Sequence, residues 1–177
     1  MTSEAEPLPF QIRASRASDG PTILRLIREL AAYEKLENEV VATPEDIAKH
    51  LFGPQPSAHA ILAEVDGQAV GLALFFFNFS TFRGKRGLYL EDLFVKPEHR
   101  GSGIGKGLFT ACAKIAVDRD CGRFEWAVLN WNHPAIGFYR SMGAKPMTEW
   151  TVNRLDEESL TAAAAIAPQF SLGTIDG

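Results

Sequence analysis

Four glycines at alternate positions, Gly101, Gly103, Gly105 and Gly107, lie between a strand-like run that ends at Val95 and an apolar-periodic run that starts at Ile104. Glycine there removes the Cβ atoms that would hold an anion off the backbone, so N–H groups and the positive end of a helix can reach it. Arg100 and Lys106 add the means for charge-assisted hydrogen bonds. The chemistry on offer is phosphate binding, and spacing separates its versions. A P-loop needs glycine at position 100 and Ser or Thr after the Gly-Lys pair, where this chain has Arg100 and Gly107. A dinucleotide fingerprint begun at Gly101 needs its third glycine at 106, where Lys106 stands, and follows the first strand of a doubly wound sheet. Neither fits. Arg-x-x-Gly-x-Gly, at Arg100, Gly103 and Gly105, remains.

Such a loop works only if flanking elements hold it. Phe10 to Ala14 reads as a first strand. Ser18-Asp19-Gly20-Pro21 offers a capped helix start, and Ile23, Ile27, Leu30 and Ala31 carry helical spacing to about Glu34. Thr43-Pro44-Glu45-Asp46 repeats that logic for a second helix to about Phe52. Two β-type runs, Ala60 to Val65 and Val70 to Phe79, flank Asp66-Gly67, a hairpin signal. Leu72 to Phe77 is apolar on both faces, as in a central strand covered by helices. Leu88 to Val95 forms the next strand, Gly103 to about Val117 a helix, Arg123 to Leu129 a strand and Pro134 to Met142 a helix stopped by Gly143. Lys145 to Leu155 is expected to close the sheet. The fold class is therefore α/β, a mixed and mostly antiparallel central sheet with helices on both faces. Residues 1–9 read as a flexible start, 10–155 as the domain, and 156–177 as a tail that packs as a helix, serves as a dimer arm or stays disordered.

From the first strand to about Leu155 the chain resembles the GNAT superfamily of N-acetyltransferases, through the loop at His99 to Lys106. Within it, the chain is similar to the spermidine/spermine (diamine) N-acetyltransferases. Leu24 to Ala31 running into Tyr33-Glu34, the run Tyr89-Leu90-Glu91-Asp92-Leu93-Phe94-Val95, and Trp131-Asn132 leading to Pro134 and Phe138-Tyr139 carry the likeness. The resemblance implies acetyl-CoA as co-substrate and no metal. Leu93 and Val95, with Phe94 between them, would hold the pantetheine arm through the backbone. Arg100, Gly101, Ser102, Gly103, Ile104, Gly105 and Lys106 would bind the pyrophosphate. Asn132, His133, Pro134 and Ala135 would cover the rest of the coenzyme, with Tyr139 beside the thioester sulfur. Tyr33, Glu34, Glu91, Asp92, Glu125, Trp126 and Ala127 would face the amine. Polyamines, diamines and lysine-like amines such as thialysine all fit this likeness.

The residue types suit that reaction. An alkyl ammonium has a pKa of about 10.4, and only its neutral form attacks a thioester, so a proton acceptor is needed. Glu91, at the strand end beside the coenzyme loop, is the candidate general base, and an exposed strand carboxylate is its plainer reading. Tyr139 is the candidate acid for the departing thiolate. A backbone N–H near Leu93 or Phe94 would stabilise the carbonyl oxygen if a bulge leaves it unpaired. Glu34 and Asp92 serve equally as anionic walls or as local partners. His99 and His133 have no triad partner, and Cys112 lies on an apolar helix stripe, which favours direct transfer in a ternary complex over an acetyl-enzyme. Acetylation of a protein lysine or N-terminus, and a non-catalytic acetyl-CoA sensor, stand as alternatives.

Composition excludes other classes. A net charge of −4 and a pI near 5.6, with basic residues scattered, give no footprint for nucleic acid. No basic and apolar leader precedes Phe10 and no run approaches bilayer length, so a cytoplasmic chain with no membrane partner is expected. Cys112 and Cys121 match no paired metal spacing and read as buried thiols rather than a disulfide. The apolar strand at Leu72 to Phe77, the tail and the family likeness together point to a homodimer.

Overall fold

The computed structural model describes residues 9–168. Residues 1–8 of the expected flexible start at 1–9, and the end of the expected tail, residues 169–177, lie outside them. The chain divides into two compact units, Met1–Ala127 and Val128–Gly177.

The first unit is built on one sheet in the order β1-β2-β3-β4-β5, from β1 (Gln11–Ala14), β2 (His59–Val65), β3 (Gln68–Ser80), β4 (Lys85–Val95) and β5 (Arg123–Trp126). The first three pairings are antiparallel and β4 pairs β5 in parallel. That parallel step needs a crossover, which α3 (Ile104–Asp118) supplies. At the β2–β3 turn, Asp66 and Gly67 both take positive φ, 50° and 75°, the twist that a two-residue hairpin requires.

Two helices, α1 (Gly20–Glu34) and α2 (Pro44–Phe52), cover one face. Ile23, Leu26 and Leu30 of α1 and Ile47 of α2 pack with Ala60, Leu62, Leu72 and Phe94 into one buried cluster. The alternate residues of β2 and β3 meet α3 on the other face. A Cβ on Gly71 would lie 3.0 Å from Leu108 Cδ1 and 3.1 Å from Ile104 Cγ2, so only glycine lets α3 sit this close. β3 is covered on both sides, as its continuous apolar run implies.

Helix starts follow their local chemistry with one change. Thr43 caps α2 by a reciprocal box, its Oγ1 accepting from Asp46 N–H while Asp46 accepts from Thr43 N–H. Within the expected capped start Ser18-Asp19-Gly20-Pro21, Asp19 takes the N-cap position of α1 but makes no side-chain cap bond. Its carboxylate instead accepts two hydrogen bonds from the Arg13 guanidinium at 2.7 and 2.9 Å, and one from Arg16 N–H. Arg13 also donates to Glu64 at 2.7 and 2.9 Å, so one guanidinium ties β1, β2 and the entry to α1 together.

The second unit holds α4 (His133–Ser141) and α5 (Glu157–Ala165). The expected strand from Lys145 to Leu155 does not form, and β5 stops at Trp126 rather than Leu129. The large apolar residues Met147, Trp150, Val152 and Leu155 do not keep a period of two, and all four are exposed. Pro146 also removes a ladder donor at the start of that stretch. The alanine-rich tail is helical over α5, capped by Asp156, which accepts from Ser159 N–H. Among the described residues no helix is long and apolar enough to cross a membrane.

Candidate active site

The β3–β4 ladder breaks its register once, between Leu74 and Phe75: Leu74 faces Asp92 while Phe75 faces Leu90. Glu91 is therefore the extra residue of a β-bulge and projects from the bend. Asp92 shares the helix-covered face with Leu74 and Phe94, on the side of α1. Burial, then the charges of Glu91 and Glu34, push the Asp92 carboxyl up to about 6. Glu34, the last residue of α1, is itself raised by burial. Three carboxylates thus converge on one corner, where the charges of Glu91 and Glu34 add to burial in destabilising ionised Asp92, which a cation would relieve.

The corner continues onto β5. Tyr89 stacks on Phe76 with centroids 5.2 Å apart. Burial and the charges of Glu91 and Glu125 raise its phenol. Glu125, opposite Tyr89 in the β4–β5 register, belongs to this face. Trp126 does not. It packs edge-on to Phe109 of α3 at 5.0 Å and near Phe124 at 5.1 Å, on the opposite face. Sequence reasoning gives Tyr89 no role. Its signal is its place two residues before Glu91, which the bulge converts into a shared corner.

Beside the bulge, β4 offers an edge. β5 pairs only with Gly87 to Leu90, so Glu91 to Val95 extend beyond the β5 ladder. Lys96 N–H bonds to Val70 O at 2.9 Å. The antiparallel alternation then points the peptide groups of Phe94 and Asp92 at β3, and those of Leu93 and Val95 away from it. Alternate amides on an open strand edge are what an extended amide-bearing arm can pair with. Leu93 is well placed for this role, whereas Phe94 is 2% exposed and belongs to the core. The bulge lies at Glu91 rather than at Leu93 or Phe94, so the sequence-based position of an unpaired N–H shifts toward Glu91.

The glycine loop leads from that edge into α3. Gly101 and Gly103 take φ of +80° and +88°, and Gly103 is the N-cap of α3 with no side-chain cap bond. The first-turn N–H groups of α3 have no intrahelical acceptor by construction. A Cβ at Gly101 would meet nothing within 4 Å, so the concave side of this turn is open. An anion such as a pyrophosphate fits that donor set. Ser102 Oγ donates to His99 O at 2.6 Å and braces the turn. Gly107 has a different purpose, because a Cβ there would stand 2.9 Å from Phe10 Cε2 and 3.0 Å from Ile12 Cδ1. Gly107→Ala is expected to destabilise the fold by roughly 1–3 kcal/mol through overpacking. Urea melts and calorimetry with CoA check this together, the second giving an unchanged Kd.

Arg100 turns its guanidinium onto Tyr33, with Cζ 4.4 Å from the ring centroid. Its Nε donates to Val95 O at 2.9 Å. In the second unit, Asn132 is buried and its Oδ1 accepts from Ala135 N–H at 3.3 Å, making it the N-cap of α4. Pro134 occupies the first turn, where its missing N–H costs nothing. Tyr139 is half-buried, with its ring 5.3 Å from that of Phe138. Cys112 is fully buried and its thiol is pushed up to about 12, so it is no nucleophile at neutral pH. Cys112 and Cys121 are both free thiols. Among the described residues no three His, Cys, Asp or Glu side chains cluster to hold a metal.

Known proteins resemble this chain in sequence and fold. A model of the acetyltransferase (GNAT) family matches residues 24–144, from α1 through α4. Thialysine N-epsilon-acetyltransferase of Bos taurus is 40% identical over 164 residues, 86% of this chain and 96% of that protein. Spermidine/spermine N(1)-acetyltransferase-like protein 1 of Homo sapiens is 35% identical over 161 residues, 85% of this chain and 23% of that protein. Among solved structures, an integron cassette protein from the mobile metagenome of V. cholerae superposes with a TM-score of 0.75 at 26% identity, covering 89% of this chain and 99% of that one. Taken with the open strand edge and the uncapped glycine turn, the match over α1 to α4 settles the family: the chain is an acetyltransferase of the GNAT family.

Proposed function

We propose that the chain transfers acetyl from acetyl-CoA to the terminal primary amine of a small flexible cation of the thialysine or polyamine kind, by direct attack in a ternary complex. The observation that carries this reading is the carboxylate corner of Glu34, Glu91 and Asp92 next to the open Leu93–Val95 edge of β4. Relatives named for thialysine and for spermidine and spermine support the same class of amine.

Acetyl-CoA supplies an acyl group already activated as a thioester. The backbone of Leu93 and Val95 holds its extended arm, and Gly101 to Lys106 hold its pyrophosphate at the start of α3. Asn132 to Ala135 flank the coenzyme. Tyr33, Glu34, Asp92 and Glu125 draw in the ammonium. Glu91, exposed on the bulge, takes its proton directly or through water. A bulge N–H donates to the carbonyl oxygen as charge grows there, and the Tyr139 hydroxyl gives a proton to the departing sulfur. The ammonium loses two protons on becoming an amide, one passing through Glu91 to solvent and the other balancing the proton that Tyr139 gives to the thiol, so the balance closes without a metal. Cys112 is buried, which takes that thiol out of a covalent route. The same reading has the chain at work in the cytoplasm as a homodimer.

Release of CoA from acetyl-CoA tests this against spermidine, spermine, putrescine, thialysine, lysine and a lysine peptide. Turnover by one of the small amines at least tenfold above the peptide is the expected result. Coenzyme binding with no turnover on any of them would overturn the reading.

A further inference from the structure

Arg100 is the arginine of the Arg-x-x-Gly-x-Gly pattern, and charge complementarity alone would aim it at phosphate. Its side chain goes elsewhere. The guanidinium lies over Tyr33 in the last turn of α1, 4.4 Å from the ring centroid, and 5.9 Å from the Phe94 ring. Its Nε donates to the carbonyl of Val95, the last residue of β4. Tyr33 also packs against the cluster of Ile23, Leu26, Leu30 and Phe94, and its neighbour Glu34 is one of the three converging carboxylates. Arg100 immediately precedes Gly101, where the phosphate turn begins. One side chain thus joins the start of the coenzyme loop, the end of the strand edge and the helix that carries the amine wall.

We propose that Arg100 is a positioning residue that couples the coenzyme loop to the amine wall by stacking on Tyr33. The inference rests on the function proposed above and adds to it a route between the two binding events. A planar guanidinium suits this position because it can stack on a ring and donate sideways to a carbonyl at once; an ammonium offers charge without the flat face. Linkage then makes the effect reciprocal: the factor by which coenzyme tightens amine binding equals the factor by which amine tightens coenzyme binding.

The test is a double-mutant cycle on the Kd for CoA, measured by calorimetry without amine, for wild type, Tyr33→Leu, Arg100→Leu and the pair. Tyr33→Leu is expected to weaken CoA about three- to tenfold, the range of an exposed or partly desolvated cation–π contact, although Tyr33 is assigned to the amine. In the Arg100→Leu background the same change is expected to do nothing. Tyr33→Phe keeps the ring face and binds CoA like wild type, which also guards against a fold defect in Tyr33→Leu. Arg100→Lys keeps the charge but behaves like Arg100→Leu toward Tyr33. In the ligand-free protein, the Arg100 δ-methylene protons are shifted upfield by the ring, and lose that shift in Tyr33→Leu. Independent losses in the cycle, or an Arg100→Lys protein with wild-type coupling, would overturn the proposal while leaving the acetyltransferase reading intact. A wild-type protein that binds no CoA would overturn both.

Discussion

Tyr139→Phe is expected to lower kcat by on the order of a hundredfold, while the Kd for CoA stays within about twofold of wild type. A thiolate leaves a thioester poorly unless it is protonated as the bond breaks, and positioned acids of this kind contribute on the order of 100- to 10,000-fold. Tyr139 sits on α4, whose start is fixed by the Asn132 cap and by Pro134, so its ring is placed by a short, well-anchored helix. On the function proposed above, loss of one hydroxyl removes the proton donor without opening a cavity. A thioester made from a more acidic thiol needs less help, so with that donor the variant is expected to recover most of its deficit. Steady-state rates with both thioesters check this. Equal losses with both would show that the hydroxyl acts in placing the ring rather than as an acid. Full turnover across pH would remove the role altogether.

Much of the fold around the candidate site was legible because its signals are local. Thr43 with Pro44 and Asp66 with Gly67 each fix the backbone by the chemistry of one or two residues, and each takes the expected conformation. The bulge at Glu91 was not legible, for a physical reason. Leu88, Leu90, Asp92 and Phe94 all have even numbers, yet the extra residue puts the first two on the face of Phe77 and Phe75 and the last two on the face of Leu74 and Leu72. When helices cover both faces of a sheet, a slip of one residue exchanges one buried side for another and leaves no mark in the hydrophobic pattern. Two further outcomes depend on distant neighbours in the same way. Gly107 answers to Phe10 and to Ile12 of β1, and Trp126 to Phe109 of α3, neither of which its own segment reveals. Lys145 to Leu155 reads as a strand by composition alone, and composition without a period of two does not hold a ladder.

Asp92→Asn is expected to stabilise the fold at pH 7 and to weaken amine binding in the same step. Burial is the largest cause of the rise of the Asp92 pKa from 3.8 to about 6, followed by the charges of Glu91 and Glu34. The folded protein therefore holds this proton more tightly than the unfolded chain, and binds more protons than it between about pH 4 and 6. Stability attributable to Asp92 is fully present below that window, falls as pH rises through it, and stays lost above it. Every tenfold gain in proton affinity on folding corresponds to about 1.4 kcal/mol. Discounted for a half-buried group partly screened by solvent, the gain in the asparagine variant at pH 7 is roughly 1–2 kcal/mol. Urea melts of the two proteins should coincide near pH 4 and separate as pH rises to 7, with the variant above. Amine binding moves the other way. A cation entering the corner stabilises the ionised carboxylate, so in the wild type amine affinity rises as pH rises through about 6. The asparagine variant lacks that rise and has a KM for the amine about tenfold higher at pH 7, with the KM for acetyl-CoA little changed. An Asp92→Asn protein that melts like wild type at every pH and keeps the wild-type amine KM would show that this carboxylate serves neither purpose. Under the function proposed above, the corner that weakens the fold when empty is the one that binds the cation, so both effects trace to one carboxylate.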